Sequence, residues 1–324
     1  MTGFADVEAA ARRLDGVAVR TPLFEHPELN ARVGGRVLVK AENLQRTGSF
    51  KIRGAYNRMC QLDDERRQRG VVAWSSGNHA QGVACAGRLL GIATAIVMPE
   101  DAPAAKRSRT LAWGGEIIDY DRYSGDREAI ARELAARRGA ALVPSYDHRD
   151  VIAGQGTVGL EIAQQATACG AELDQVLIGC SGGGLTAGCA VALHRLAPRA
   201  KLYTVEPEAF DDTARSLSSG QRLCAADDAR SICDALQAKT PGELTFAINR
   251  ERVTAGLSVS DAEVCDAMRF AFGTLKMVVE PGGAVALAAV LAGRIEVRDR
   301  VTAVVVSGGN VDVGQFARIQ AEPR

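Results

Sequence analysis

The chain has no excess of charge of either sign: 39 Lys and Arg balance 39 Asp and Glu over 324 residues. Nucleic acids and anionic membranes favour basic surfaces, so this balance argues against both as partners. No apolar run approaches the ~20 residues that cross a bilayer. The opening residues, Met-Thr-Gly-Phe-Ala-Asp-Val-Glu, show no basic stretch followed by an apolar one. No secretory signal is expected, and the expected location is the cytoplasm. The eight cysteines form no Cys-x-x-Cys pair and stand at no zinc spacing from a histidine. Most lie in apolar segments, which predicts reduced thiols packed as small hydrophobes. Repeats and low-complexity linkers are also missing.

What the chain does have is alternation. Val/Ile-rich runs predicted as strands lie at 37–40, 71–74, 94–98, 116–120, 175–178, 202–205 and 301–306. Helical patterns separate them, the longest over 151–169. Near-continuous apolar strands between helices predict parallel sheets covered on both faces, an α/β protein of two lobes. The least regular stretch, 216–246, is predicted to run over the surface.

Several short blocks carry chemistry. Lys51 follows a Thr47-Gly48-Ser49 turn and opens a predicted helix. A lysine shielded from water loses its proton more readily and can then form a Schiff base with a carbonyl. A Gly-rich turn, Cys180-Ser181-Gly182-Gly183-Gly184-Leu185, joins a strand to a helix. Bare backbone at a helix start is suited to an anion, so the turn reads as a phosphate cradle. Its glycines, with Glu206 some twenty residues on, also fit a dinucleotide fingerprint, which leaves an NAD-dependent oxidoreductase as an alternative. Ser75-Ser76-Gly77-Asn78-His79 opens another helix, where small polar residues can be simple caps. Ser307-Gly308-Gly309-Asn310 ends the last strand, and Glu280-Pro281 opens a late helix. Glu206, Phe210 and Asp212 could present hard oxygen ligands, or simply form an acidic helix start.

Together, from Thr21 to Asn310, these blocks resemble the fold-type II pyridoxal phosphate enzymes, in particular the serine/threonine dehydratase and serine racemase branch. The resemblance implies two open, twisted, mostly parallel sheets of the tryptophan synthase β-like architecture. A large cofactor domain would take residues 1–69 and 148–324, and a small domain 70–147. Pyridoxal phosphate would be held by Lys51 beside Phe50. Its phosphate would lie on Ser181, Gly182, Gly183, Gly184 and Leu185, with its ring near Asn78, Glu280 and Ser307. Ser75, Ser76, Gly77, Asn78 and His79 would take the substrate carboxylate, with Ser76 as acid/base on the face opposite Lys51. Ala235 stands where simple threonine dehydratases usually carry glycine, which puts threonine in doubt as the preferred substrate. Glu206, Asp212 and the Phe210 carbonyl would bind Mg²⁺ or Ca²⁺. The implied activity is dehydration of a 3-hydroxy-L-amino acid to a 2-keto acid and ammonia, by a homodimer. Serine, threonine, 3-hydroxyaspartate and phenylserine are candidate substrates, and serine or aspartate racemisation is the neighbouring alternative. About fourteen residues follow Asn310, so no C-terminal regulatory domain is expected.

Overall fold

The computed structural model describes residues 2–75, 77–102, 104–121 and 125–321. In chain order the first elements are α1 (Phe4–Leu14), β1 (Leu23–Glu25), α2 (Pro27–Val33), β2 (Arg36–Ala41), α3 (Lys51–Met59), α4 (Asp64–Arg69), β3 (Val71–Trp74), α5 (Asn78–Leu90), β4 (Thr94–Pro99), α6 (Ala104–Ala112), β5 (Glu116–Tyr120), α7 (Arg127–Arg138) and β6 (Ala141–Leu142). There follow α8 (Arg149–Ala168), β7 (Gln175–Gly179), α9 (Gly184–Leu196), β8 (Lys201–Pro207), α10 (Asp212–Ser219), α11 (Glu243–Arg252), β9 (Ala255–Val259), α12 (Asp261–Gly273), α13 (Pro281–Leu291), β10 (Val301–Val306) and α14 (Val313–Ala321).

Two sheets result. One runs β1-β2-β10-β7-β8-β9 and the other β5-β4-β3-β6. All pairings are parallel except that of β1 with β2. Successive side chains on a strand point to opposite faces, and the cores follow that period. Val304 and Val306 pack with α12 and α13 on one face, whereas Ala303 and Val305 pack with α8 and α9 on the other. This two-sided burial explains why the strand reads as an unbroken apolar run. Helix α3 stands between the sheets. Its Ile52, Ala55 and Met59 enter the core of the four-stranded sheet, while its Gly54 N–H donates to Gln155 on α8 at 3.1 Å.

A buried ionic cluster fixes α3 from the other side. Arg53 meets Glu42 through Nε and Nη2, both at 2.8 Å, and Glu161 through Nη1 at 2.7 Å. Lys40 donates to the same Glu161 at 2.6 Å and to the Thr21 carbonyl at 2.7 Å. Burial opposes the Arg53 charge, but the two carboxylates outweigh it and raise its pKa.

Helices α8 and α9 cross at close range. A Cβ on Gly188 would lie 2.3 Å from the Ile152 carbonyl oxygen and 2.4 Å from the Gly156 nitrogen, so the two backbones touch with nothing between them.

The irregular stretch 216–246 differs from its expectation. Helix α10 reaches Ser219 and α11 begins at Glu243, and between them Cys233 and Leu236 are buried in the main core. The segment therefore runs into the interior and back, carrying a short 3-10 turn at Asp234–Leu236. Four thiols, those of Cys85, Cys180, Cys189 and Cys233, are buried, and those of Cys169 and Cys224 are exposed. Among the described residues no helix is long and apolar enough to cross a membrane.

Candidate active site

Lys51 is the first residue of α3 and lies half-buried where the two sheets face each other. The bend before it uses positive φ at Thr47 (68°) and Gly48 (72°). The chain is then anchored to the end of β10. Ser49 bridges Gly308, and the Phe50 N–H donates to the Ser307 carbonyl at 3.3 Å. Lys51 Nζ lies 5.2 Å from the centre of the Phe50 ring and donates to the Ser145 carbonyl at 3.0 Å. Burial pulls its pKa down to about 8, and the Glu280 carboxylate opposes the fall only in part.

The residue after Ser145 lines the glycine cradle. A Cβ on Gly182 would lie 2.4 Å from the Tyr146 ring, and one on Gly184 would lie 2.8 Å from the Tyr146 Cβ. Both positions accept only bare backbone. Gly183 has φ 91°, which an L side chain rarely adopts.

The carbonyls of the turn face α11. Gly182 O accepts from Thr245 Oγ1 at 2.6 Å and from the Gly242 N–H at 3.2 Å, and Gly183 O accepts from Asn249 Nδ2 at 3.4 Å. In a trans peptide the following N–H is antiparallel to the C=O. The N–H groups of Gly183 and Gly184 therefore point away from α11. They join the unpaired amides of the first turn of α9, an arrangement suited to phosphate. Ser181 Oγ accepts from the Ala238 N–H at 3.0 Å, and the Leu185 side chain belongs to the core. Asp147 holds α11 in place by accepting from the N–H groups of Glu243, Leu244 and Thr245 at 2.9–3.1 Å.

The start of α5 comes to the same place. The Gly77 N–H donates to Ser75 Oγ at 3.1 Å. Asn78 donates from Nδ2 to Glu280 Oε1 at 2.5 Å, and its Oδ1 accepts from Asn310 Nδ2 at 2.8 Å. Burial first, then Asp234, pushes Glu280 up to about 7. His79 is 2% exposed, and its Nε2 faces the Val143 carbonyl at 2.8 Å. Burial and the nearby Lys51 push its pKa down to about 3, so it is a neutral donor to that carbonyl and a packing residue. Ser307 is nearly buried at the end of β10, one hydrogen bond from the peptide that precedes Lys51. Ala235 sits on the 3-10 turn, its Cβ within 3.1 Å of where a Gly282 side chain would begin. Its neighbour Asp234 forms an ion pair with Lys106 of α6. Ser76 lies outside the described residues.

Glu206, Phe210 and Asp212 lie where β8 runs into α10. Glu206 accepts from the Thr213 N–H at 3.1 Å and the Ala214 N–H at 2.8 Å, one oxygen each, and so caps α10. Burial pushes Glu206 up to about 8 and Asp212 up to about 7. Among the described residues no group of three or more His, Cys, Asp and Glu could hold a metal ion. Both carboxylates are buried, so the segment is a capped helix start but not a solvated one. The dinucleotide alternative loses support by the same bonds, because the Glu206 carboxylate is committed to α10.

The site also contains residues that no sequence pattern singled out: Tyr146 under the glycines, Asn249 and Thr245 behind them, and Arg109 beyond Asn310. Asn310 itself closes the Ser-Gly-Gly-Asn block, and its place in that block was the one available signal.

Comparison with known proteins agrees with this geometry. A family model described as pyridoxal-phosphate dependent enzyme matches residues 14–308. The chain is 46% identical over 319 residues to the L-threo-3-hydroxyaspartate ammonia-lyase of a Pseudomonas species, covering 98% of both chains. It is 39% identical to the serine racemase of Schizosaccharomyces pombe, covering 98% of this chain and 97% of that one. Among solved structures it resembles the maize serine racemase with a TM-score of 0.92 and 36% identity, over 98% of this chain and 96% of that one. Likeness along nearly the whole length, in sequence and in fold, places the protein: the chain belongs to the pyridoxal-phosphate-dependent enzymes of fold type II.

Proposed function

We propose that the protein removes water from a 3-hydroxy-L-amino acid by β-elimination, releasing an enamine that takes up water to give a 2-keto acid and ammonia. The observation that carries this reading is Lys51, with its amine drawn to about 8 and held at the carbonyl next to Tyr146, under the glycine cradle. The residues suit pyridoxal phosphate. The cradle has no room for a Cβ at Gly182 or Gly184, and Lys51 is tied to it through Ser145. When bound, the cofactor supplies an electron sink for the pair left at Cα.

The chain supplies the rest. Lys51 would anchor the cofactor and then accept the Cα proton. Ser181 through Leu185 would hold the phosphate, beside the departing hydroxyl. The remaining N–H of Asn78 would meet the ring oxygen. Ser307 would offer the ring nitrogen a hydroxyl instead of a carboxylate, which limits carbanion build-up and favours loss of the β-group. The backbone N–H groups of Ser75, Ser76, Gly77, Asn78 and His79 would take the substrate carboxylate. In this reading residues 1–69 and 148–324 form the larger domain and 70–147 the smaller.

L-threo-3-hydroxyaspartate is the leading substrate in this reading. A relative carrying that name is 46% identical. Lys106, paired with Asp234 beside Ala235, would place a cation within reach of a second carboxylate. Racemisation is the second reading, supported by the similarity to serine racemases; in it Ser76 would serve as the acid and Lys51 as the base. A divalent cation would have to share Glu206 with the α10 amides; the buried Asp212 Oδ2, which has no hydrogen-bond partner, is the one feature that favours it. Assembly as a homodimer belongs to the same reading, and Leu44, Phe272, Val278 and Val313 are among the exposed apolar side chains a second copy could cover.

The test is a panel of L-serine, L-threonine, the 3-hydroxyaspartates and phenylserine, with keto acid as readout and Lys51→Ala as control. Fastest turnover of L-threo-3-hydroxyaspartate, lost in the control, is expected. Absence of keto acid from every substrate would overturn the proposal.

A further inference from the structure

Arg109 of α6 lies outside every motif of the sequence, yet it ends a chain of hydrogen bonds that leads into the site. Its Nη1 donates to Asn310 Oδ1 at 2.6 Å. Asn310 Nδ2 donates to Asn78 Oδ1 and to the Thr47 carbonyl, both at 2.8 Å. Asn78 Nδ2 donates to Glu280 Oε1 at 2.5 Å. The bonds run in one direction, from cation through two amides to a carboxyl group.

That direction has a chemical reason. A guanidinium can only donate, and an ionised carboxylate can only accept. Reversing the Asn310 amide would set its NH₂ against the guanidinium. Reversing Asn78 would set its oxygen against Glu280. The guanidinium end alone fixes the sense: with Asn310 Oδ1 turned to Arg109, its NH₂ meets the Asn78 oxygen and the Asn78 NH₂ is left for Glu280, whichever protonation state that group holds, and aligned bonds polarise one another. The outcome concerns Asn78: its oxygen is committed to Asn310, and its second N–H remains to be offered.

We infer that Arg109 is a positioning residue that acts through Asn310 to fix the Asn78 amide with its N–H toward the cofactor ring oxygen. The inference rests on the cofactor reading given above. It also links the two sheets, since α6 packs with the four-stranded sheet, whereas Asn310 and Glu280 flank β10 and α13 of the six-stranded one.

The test compares Arg109→Met and Arg109→Lys with Arg107→Met, a control on the same helix whose partner is Asp119. In the holoenzyme, Arg109→Met should change the ratio of the cofactor's visible and near-ultraviolet bands. It should also lower kcat about 10-fold while KM moves less than about 3-fold. Arg109→Lys, which keeps a donor, should restore the band ratio at least in part, and Arg107→Met should match the parent. In the cofactor-free protein, the side-chain amide NMR signals of Asn78 and Asn310 should shift in Arg109→Met alone. Unchanged amide signals and band ratio, or the same changes in Arg107→Met, would overturn the inference. A parent that takes up no cofactor would overturn the functional reading instead, and the amide signals would still decide the role of Arg109.

Discussion

Asn78 and Glu280 are joined by a 2.5 Å hydrogen bond across the cleft, one residue at the mouth of α5 and the other just before α13. The bond gives a 2% exposed carboxyl group a donor, but burial still leaves its pKa near 7.

That shift has a signed consequence for stability. In the unfolded chain Glu280 ionises near 4.5, and in the folded, cofactor-free protein near 7. Between these values the unfolded state loses its proton first, so stability falls as pH rises through the window and then levels. Glu280→Gln removes this cost and can still accept from Asn78. We expect the variant to be more stable than the parent by on the order of 2–3 kcal/mol at pH 8, with the gap closing at pH 4. Denaturant titration of both apoproteins at the two pH values checks it; an equal gap at both would refute the assignment.

If Lys51 anchors the cofactor as proposed, its amine sets the pH at which the apoprotein captures it. With its pKa at about 8, about half of the amines are neutral at pH 8 and about a tenth at pH 7. Colour formation after addition of pyridoxal phosphate should accelerate about 5-fold between those values and level above pH 9. A rate still climbing at pH 10 would mean a lysine with ordinary exposure.

The cradle makes a steric prediction. Gly182→Ala puts a methyl 2.4 Å from the Tyr146 ring, so one of them must move. Overpacking of this kind costs about 1–3 kcal/mol, and cofactor affinity should fall about 10-fold or more with circular dichroism unchanged. Adding Tyr146→Ala should recover part of the loss. Parent-like affinity in Gly182→Ala would show that the ring is free to leave.

Arg53→Met should be among the most damaging single changes, because it leaves Glu42, at 0% exposure, without its cation. The expected loss is about 3–5 kcal/mol in denaturant unfolding. The double variant Arg53→Met with Glu42→Met should be less damaged than the single one. If the two losses simply add, the pair is not coupled.

Much of this site is legible in the sequence because its chemistry sits at element boundaries. Lys51, Ser75–His79, Ser181–Leu185 and Ser307 each stand where a strand or turn meets a helix or loop, and turn residues mark such places in any sequence. Tyr146, Asn249 and Arg109 are not legible. They act by reaching across the fold to elements distant in the chain, and no local pattern encodes that reach. Helix α11 escapes notice for a related reason: its start is capped by Asp147 from another segment, so its own residues carry no cap signal. Glu206 is legible only in part, because a carboxylate that caps a helix and one that binds a cation look alike in a sequence; the amides of Thr213 and Ala214 show that it caps α10.

The contact between Gly156 and Gly188 also bears on how accurately the glycine turn is placed. Side chains change rotamer and repack, whereas two main chains in direct contact have one distance of approach. Helix α9 presents the cradle and α8 follows the Ser145–Asp147 segment that faces it, so the two halves of the site are registered by backbone against backbone. A side chain at Gly156, Gly159 or Gly188 would push the two helices apart, and with them the glycine turn and the segment that faces it.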